Sequence, residues 1–167
     1  MSPVEKPQAP AFSFCPVDVV TRRTMAGFIE RAVHGAATPP PVYLGEFGDV
    51  LPGSFNANYI QGLLDDAITA GCSVSPARYC PDVPVTRAQM AVFVWKARHG
   101  QQPPPACSGE FADVPCPDGF AVDYIEGIAA EGITAGCGSG DYCPDASITN
   151  AQMAVFLVKA FALPYVP

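Results

Sequence analysis

At residues 80–91 the chain reads Cys80-Pro-Asp-Val-Pro-Val-Thr86-Arg-Ala-Gln-Met90-Ala, and two other segments repeat this pattern. They are Cys15-Pro-Val-Asp-Val-Val-Thr21-Arg-Arg-Thr-Met25-Ala and Cys143-Pro-Asp-Ala-Ser-Ile-Thr149-Asn-Ala-Gln-Met153-Ala. The interval from cysteine to threonine is six residues in each copy, and successive copies start 65 and 63 residues apart. Matches that stay in register this well indicate an internal repeat, which is typical of folds built from similar units.

The second and third copies also share an upstream half, which the first copy lacks. Gly45-Glu-Phe-Gly-Asp49-Val corresponds to Gly109-Glu-Phe-Ala-Asp113-Val, and both halves run on to a Thr-Ala-Gly-Cys sequence. Proline-rich bridges, at residues 38–41 and 102–105, separate the copies. We therefore divide the chain into a partial repeat (1–35, second half only) and two full repeats (43–100 and 107–163), which together form one domain.

Each full repeat is predicted to fold as helix, loop, helix. Thr86 and Thr149 precede the second helix as N-caps, and a glutamine three residues later completes a capping box; Thr21 has Thr24 in that place. Apolar residues then recur at i, i+3, i+4 and i+7, beginning at Met25, Met90 and Met153. Since one helix pair cannot bury two apolar stripes alone, we expect the copies to pack together in an all-α fold.

Composition narrows the classes of function. Hydrophobic residues make up 49% of the chain and charged residues 15%, which argues against a disordered chain. No apolar run approaches the roughly 20 residues of a membrane-spanning helix. Nine basic against 16 acidic residues give a net charge of −7, so nucleic acid is not an expected partner. The acidic excess lies in residues 101–167, so we expect a polyanionic ligand to prefer the first two-thirds of the chain.

The seven cysteines indicate an oxidising compartment. Cys72 and Cys80 flank one loop, Cys137 and Cys143 flank its equivalent, and pairing within each loop is the economical interpretation; Cys107 and Cys116 would form a third pair. Zinc binding fits less well, because there is no C-x-x-C motif and both histidines lie away from the paired cysteines. Reduced core cysteines remain a further alternative, and the sequence leaves the partner of Cys15 open.

These motifs together resemble the S-layer homology repeat of bacterial surface proteins. The best match runs from Phe111-Ala-Asp-Val114 through Gly132-Ile-Thr-Ala-Gly136 to Ile148-Thr-Asn-Ala-Gln-Met-Ala154, and the resemblance covers residues 12–163. It implies helix-loop-helix repeats packed as a pseudo-threefold prism around a central helix bundle, with disulfide-stapled loops. It also implies that grooves between units hold a cell-wall carbohydrate, often a pyruvylated polysaccharide.

The resemblance points to Arg22 and Arg87 as ligand-binding residues and to Asp49 and Asp113 as the matching motif aspartates, while Asn150 replaces the arginine in the third copy. An arginine in the first turn of a helix suits a carboxylate ligand. Arg87 could instead pair with an acidic residue of the neighbouring unit, and the aspartates could cap a helix or a turn. A further candidate is Trp95, which would either stack on a sugar ring or be buried against the next unit.

We find no Ser/His/Asp set, Cys/His pair, phosphate loop or calcium loop, so we expect a protein that is not an enzyme and needs no cofactor or metal. The resemblance predicts a non-catalytic anchoring module at the bacterial cell surface or envelope, whose partner is an anionic cell-wall polysaccharide or peptidoglycan-linked glycan. One alternative is a structural module that packs on other subunits of a surface filament, sheath or S-layer. Another is a carbohydrate-targeting appendage of an exoenzyme.

Overall fold

The computed structural model describes residues 14–164. In chain order the elements are α1 (Arg22–His34), α2 (Ala57–Asp65), β1 (Ser73–Val74), β2 (Ala77–Arg78), α3 (Arg87–His99), α4 (Val122–Ala130) and α5 (Asn150–Phe161). The two strands form an antiparallel hairpin in which Ser73 lies opposite Arg78. Residues 1–13 of the predicted partial repeat, including the start of the resemblance at residue 12, lie outside the described residues.

Threonine N-caps begin three of the five helices in the described residues 14–164. Thr86 and Thr149 form complete capping boxes with Gln89 and Gln152, as the sequence predicted. Thr21 caps α1 through a longer contact, 3.4 Å from the amide of Thr24. The helices α2 and α4 begin without a side-chain cap, each after a residue in the left-handed conformation.

The segments in front of these three threonines are joined by a closed cycle of hydrogen bonds, which we call the backbone ring. The amide of Val20 donates to the carbonyl of Ile148, that of Ile148 to Val85, and that of Val85 back to Val20, each at 2.9 Å. All three residues are fully buried. Backbone polar groups cannot stay unpaired at such depth, and the ring pairs one amide and one carbonyl from each copy.

A second cycle satisfies the first amides of the three helices. Arg22 donates to the carbonyl of Val83, Arg87 to that of Ala146, and Asn150 to that of Asp18, at 2.9–3.0 Å. These amides have no partner within their own helices. Each copy therefore closes the exposed helix end of its neighbour.

The predicted all-α prism around a central helix bundle is wrong. Helices hold 37% of the described residues, a β-hairpin is present, and extended segments pair between the copies. The prediction rested on helical apolar stripes alone. It overlooked the short extended segments at Val19–Val20, Val85 and Ile148, whose β-branched residues favour extended backbone and whose amides must find partners.

The core lies where the helices meet. Helix α1 packs on α2 and α3 packs on α4, while α1, α3 and α5 contact one another. Met25, Met90 and Met153 from the latter three helices are almost completely buried. Burial of such side chains contributes about 1.5–3 kcal/mol each.

Three disulfides close the loops: Cys72–Cys80, Cys107–Cys116 and Cys137–Cys143. These are the pairs that the sequence favoured. Disulfides of this kind are maintained in oxidising compartments, so the chain is a secreted, extracellular protein. Within residues 14–164, none of the helices has the length and apolar character that crossing a membrane requires.

Candidate functional site

The site is built on the arginines that open α1 and α3. Arg22 donates from Nε to the carbonyl of Tyr79 at 2.7 Å, and Arg87 donates in the same way to Tyr142 at 2.8 Å. Each tyrosine hydroxyl donates back to the carbonyl of its arginine at 2.9 Å. Both arginines thus connect one copy to the next, and their side chains are almost completely buried.

Aromatic rings enclose each guanidinium group. The Cζ of Arg22 lies 4.7 Å from the ring centre of Tyr79 and 5.4 Å from that of Phe93; for Arg87 the rings are Tyr142 at 4.7 Å and Phe156 at 5.8 Å. Such contacts stabilise a cation. Burial lowers the pKa of Arg22, electrostatic interactions with Tyr79 and Asp49 act against it, and the arginine stays protonated.

The enclosing tyrosines stay protonated as well. Burial raises the pKa of Tyr79 and of Tyr142, and the neighbouring arginine only partly offsets this. Their hydroxyls therefore remain hydrogen-bond donors.

One nitrogen of each arginine is left without a partner. The Nη2 atoms of Arg22 and Arg87 are buried and make no hydrogen bond to any of residues 14–164. Within the same range, neither arginine forms an ion pair with a carboxylate, which was the alternative the sequence left open for Arg87. A buried charged donor without an acceptor is costly, and it requires an explanation such as a ligand.

Arg87 lines a cleft of about 310 Å³ between the second and third copies, which we call the Arg87 cleft. Its other walls are the loop 133–136 and one face of α5 with Gln152, Phe156 and Lys159. The lining holds two cations and no carboxylate. Although most of the lining comes from the acidic part of the chain, the cleft itself is suited to an anion.

The loop 133–136 keeps its shape through Thr134 and Gly136. The Thr134 hydroxyl accepts a hydrogen bond from the Gly136 amide at 3.3 Å. Gly136 has a φ of +83°, and a Cβ atom there would collide with the carbonyl oxygen of Asp141. This wall of the Arg87 cleft therefore depends on glycine.

Asp49 and Asp113 lie behind the site and do not line the Arg87 cleft. Asp49 accepts hydrogen bonds from the amides of Tyr79 and Cys80 at 2.8 and 2.9 Å, and Asp113 accepts from Tyr142 and Cys143, both at 2.7 Å. Each aspartate thereby fixes the tyrosine that holds an arginine. These amides lie 29–31 residues further along the chain, so the aspartates join two segments of their copy and do not cap the start of a helix, which the sequence had left as an alternative.

Trp95 lies eight residues after Arg87 in α3, does not line the Arg87 cleft, and is buried. Its indole nitrogen donates to the carbonyl of Gln102 at 2.7 Å, and its ring centre lies 4.2 Å from that of His99. Its side chain packs against Gly127 of α4. A ring in this position cannot stack on a sugar.

Lys159 was missed by the sequence reasoning. It lies ten residues after the capping Thr149, and Lys96 and Arg31 lie ten residues after Thr86 and Thr21. A basic residue at the same place in every copy was the signal that could have identified this wall of the cleft.

The arginine equivalent in the third copy, Asn150, lies in different surroundings. It lines an apolar groove of about 210 Å³ with Phe14, Phe28 and Leu157 among its walls. Its side-chain amide donates to the carbonyl of Cys15 at 2.9 Å. At this junction, between the third and first copies, no arginine lines the groove, so the groove lacks the cation that the Arg87 cleft provides.

Comparison with known proteins gives a partial match. No protein-family model matches the chain. Over 117 residues, or 69% of its length, the chain is 28% identical to an endoglucanase from Bacillus sp. (strain KSM-635). The match covers 12% of the length of that protein, so the chain is similar to a small part of it.

Proposed function

We propose that this chain is a non-catalytic module that binds an anionic cell-wall glycan in the Arg87 cleft and thereby holds a larger protein at the bacterial cell surface. The observation that carries the proposal is the position of Arg87: it lines a cleft whose walls hold no carboxylate, and its buried Nη2 has no partner among the described residues. A guanidinium fork is suited to a carboxylate, such as that of a pyruvate group on a sugar. Lys159 of α5 adds a second positive charge to the lining of the cleft.

Three further observations support this function. The repeat resembles the S-layer homology repeat, which implies wall anchoring. The disulfides fit an extracellular location. The similarity to a small part of an endoglucanase fits a module attached to a larger polysaccharide-degrading enzyme.

The test is retention by purified cell-wall sacculi, before and after chemical removal of pyruvate. Lys159→Glu reverses an exposed charge in the cleft, and Arg78→Glu is the matched control, since Arg78 is an exposed cation on β2 away from it. We expect K159E to weaken retention about tenfold or more, since it replaces an attraction by a repulsion. R78E should be retained by the sacculi like the natural chain. After removal of pyruvate, neither R78E nor the natural chain should be retained.

Two results would contradict the proposal. One is a natural chain that is not retained by sacculi, and the other is equal retention of K159E and R78E. Unfolding curves of both variants show whether either change acts through stability.

A structural role in a surface assembly is the second candidate. The equivalent residues Phe55 and Phe120 are 68% and 70% exposed, and the groove beside Asn150 is apolar. Exposed aromatic residues are typical of protein interfaces. Self-association in light scattering that is unaffected by wall glycan would favour this function over anchoring.

A further inference from the structure

Glu30 of α1 occupies a place that the other copies fill with apolar side chains. Counting from the repeated methionine, its equivalents are Trp95 and Val158. Glu30 is only 4% exposed, and its carboxylate lies against Gly62 of α2 where any Cβ atom would collide with it. The same close approach occurs between Trp95 and Gly127. A buried carboxylate of the first copy therefore occupies the position that the indole ring of Trp95 occupies in the second copy.

The Glu30 carboxylate is not fully satisfied by hydrogen bonds. Its Oε1 atom is buried and has no hydrogen-bond partner in the described part of the chain. Its Oε2 atom lies 3.9 Å from Nε2 of His34. Burial, and next the charge of Asp66, raise the pKa of Glu30 to about 7. Its ion-pair contact with His34 is too long for a hydrogen bond and leaves Oε1 unsatisfied, which is costly for a buried carboxylate.

His34 and Asp66 complete a cluster with Glu30. Nε2 of His34 lies 2.7 Å from Oδ2 of Asp66, and the ligand atoms of all three residues lie within 4.8 Å of one another. All three line a cavity of about 200 Å³ between α1, α2 and the proline bridge 39–41. The space is large enough for an ion with bound water.

The second copy shows what neutralises the corresponding carboxylate there. Glu131, the equivalent of Asp66, pairs with His99 at 2.7 Å and with Arg98 at 2.9 Å. In the first copy the position of Arg98 is held by Val33. The first copy therefore has one more carboxylate and one fewer cation at the same place in the fold.

We propose that Glu30, His34 and Asp66 form a binding site for a divalent transition-metal ion, with Zn²⁺ the best match. One imidazole nitrogen and two carboxylates are ligands that zinc accepts, whereas calcium and magnesium prefer oxygen alone. Neighbouring ligand atoms around tetrahedral zinc are about 3.3 Å apart. The His34–Asp66 contact would open and the His34–Glu30 contact would close, each by a fraction of an ångström. A water molecule would supply the fourth ligand.

Titration calorimetry with zinc chloride, on the full chain with its disulfides intact, tests the site. We expect one ion per chain, and an affinity reduced about tenfold or more by Glu30→Gln or by His34→Ala. The matched control is His99→Ala, which removes the equivalent histidine from the copy that carries Trp95 and Arg98. Its affinity for zinc should equal that of the natural chain.

Thermal unfolding separates loss of the site from loss of the fold. Zinc should raise the Tm of the natural chain and of H99A, because an ion that binds only the folded state stabilises it, and the same zinc concentration should raise the Tm of E30Q less. H34A alters an exposed side chain and should remain folded, so it tests the site if E30Q is unstable. Absence of zinc binding by the natural chain, or equal weakening by H34A and H99A, overturns the proposal.

Discussion

Arg87 and Tyr142 exchange hydrogen bonds across the junction of two copies: the arginine Nε donates to the tyrosine carbonyl, and the tyrosine hydroxyl donates to the arginine carbonyl. The two residues are 55 positions apart in the chain. The same exchange joins Arg22 to Tyr79. The orientation of each candidate ligand-binding arginine is therefore set by a tyrosine of the following copy.

Tyr142→Phe should destabilise the fold by about 0.5–1.5 kcal/mol, because it removes the buried hydrogen bond from the tyrosine hydroxyl to the carbonyl of Arg87. The measurement is urea unfolding. Tyr124→Phe is the control, since the hydroxyl of this half-buried tyrosine makes no hydrogen bond to another described residue, and it should change stability by less than about 0.5 kcal/mol. Equal effects of the two substitutions would show that the exchange with Arg87 contributes nothing.

Gly136→Ala should destabilise the protein more than Gly140→Ala. The two glycines have nearly the same φ, +83° and +84°, so the backbone strain of an alanine, about 1 kcal/mol, is common to both. Only at Gly136 does a Cβ atom also meet a backbone carbonyl, whereas Gly140 faces open space. Thermal unfolding of both variants measures the difference, which we expect to exceed about 1 kcal/mol. Similar losses would mean that the loop moves aside without cost.

Glu126→Gln should destabilise the protein at neutral pH, and this loss of stability should be smaller in acid. Burial raises the pKa of Glu126, but hydrogen bonds from the amides of Ser108, Glu110 and Gly109 and from the Ser108 hydroxyl outweigh it and hold the pKa below its ordinary value of 4.5. The ionised carboxylate thus stabilises the fold above pH 4.5, and this contribution is lost as pH falls through the lowered pKa. We expect a loss of about 1.5–3 kcal/mol at pH 7.

The measurement is urea unfolding of the natural chain and E126Q at several pH values. The gap between them should be constant near neutrality and should narrow below pH 4.5, because the glutamine does not titrate. A gap that is independent of pH would contradict the role given to the ionised carboxylate.

Replacing Cys107 and Cys116 together by alanine should lower stability by about 2–3 kcal/mol, the loop-closure entropy expected for a bridge of this length. The comparison is with Cys137 and Cys143 replaced together; these cysteines are six positions apart, so the loop is shorter and the expected loss slightly smaller. Chemical unfolding under non-reducing conditions measures both. No change in either variant would show that the bridges do not constrain the unfolded chain.

The sequence was sufficient for the features that depend on neighbours in the chain. Thr86 with Gln89 predicts a capped helix start, and the spacing from Met90 predicts its buried face. The backbone ring was missed because a single buried Val85 or Ile148 has no periodicity, and its pairing becomes visible only when three distant segments meet. The burial of both arginines was missed for the same reason, since each tyrosine partner is more than 50 residues away.

The Glu30 cluster was missed because the repeat comparison selected what the copies share. Glu30, Val33 and Asp66 are informative through their difference from Trp95, Arg98 and Glu131. A departure from the repeat at a buried position was the available signal. The sequence difference alone does not indicate a binding site. The site becomes visible only in the folded structure, where Asp66, at the end of the neighbouring helix, lies beside His34.

The hydrogen bonds among Val20, Val85 and Ile148 also limit how such a chain can grow. A solenoid lengthens by adding a unit at either end, because its terminal units keep an open face. Here every donor and acceptor of the cycle is already used by three segments, so a fourth segment finds no vacant position. A further copy added to such a chain could not join this cycle and would need other partners for its own backbone groups.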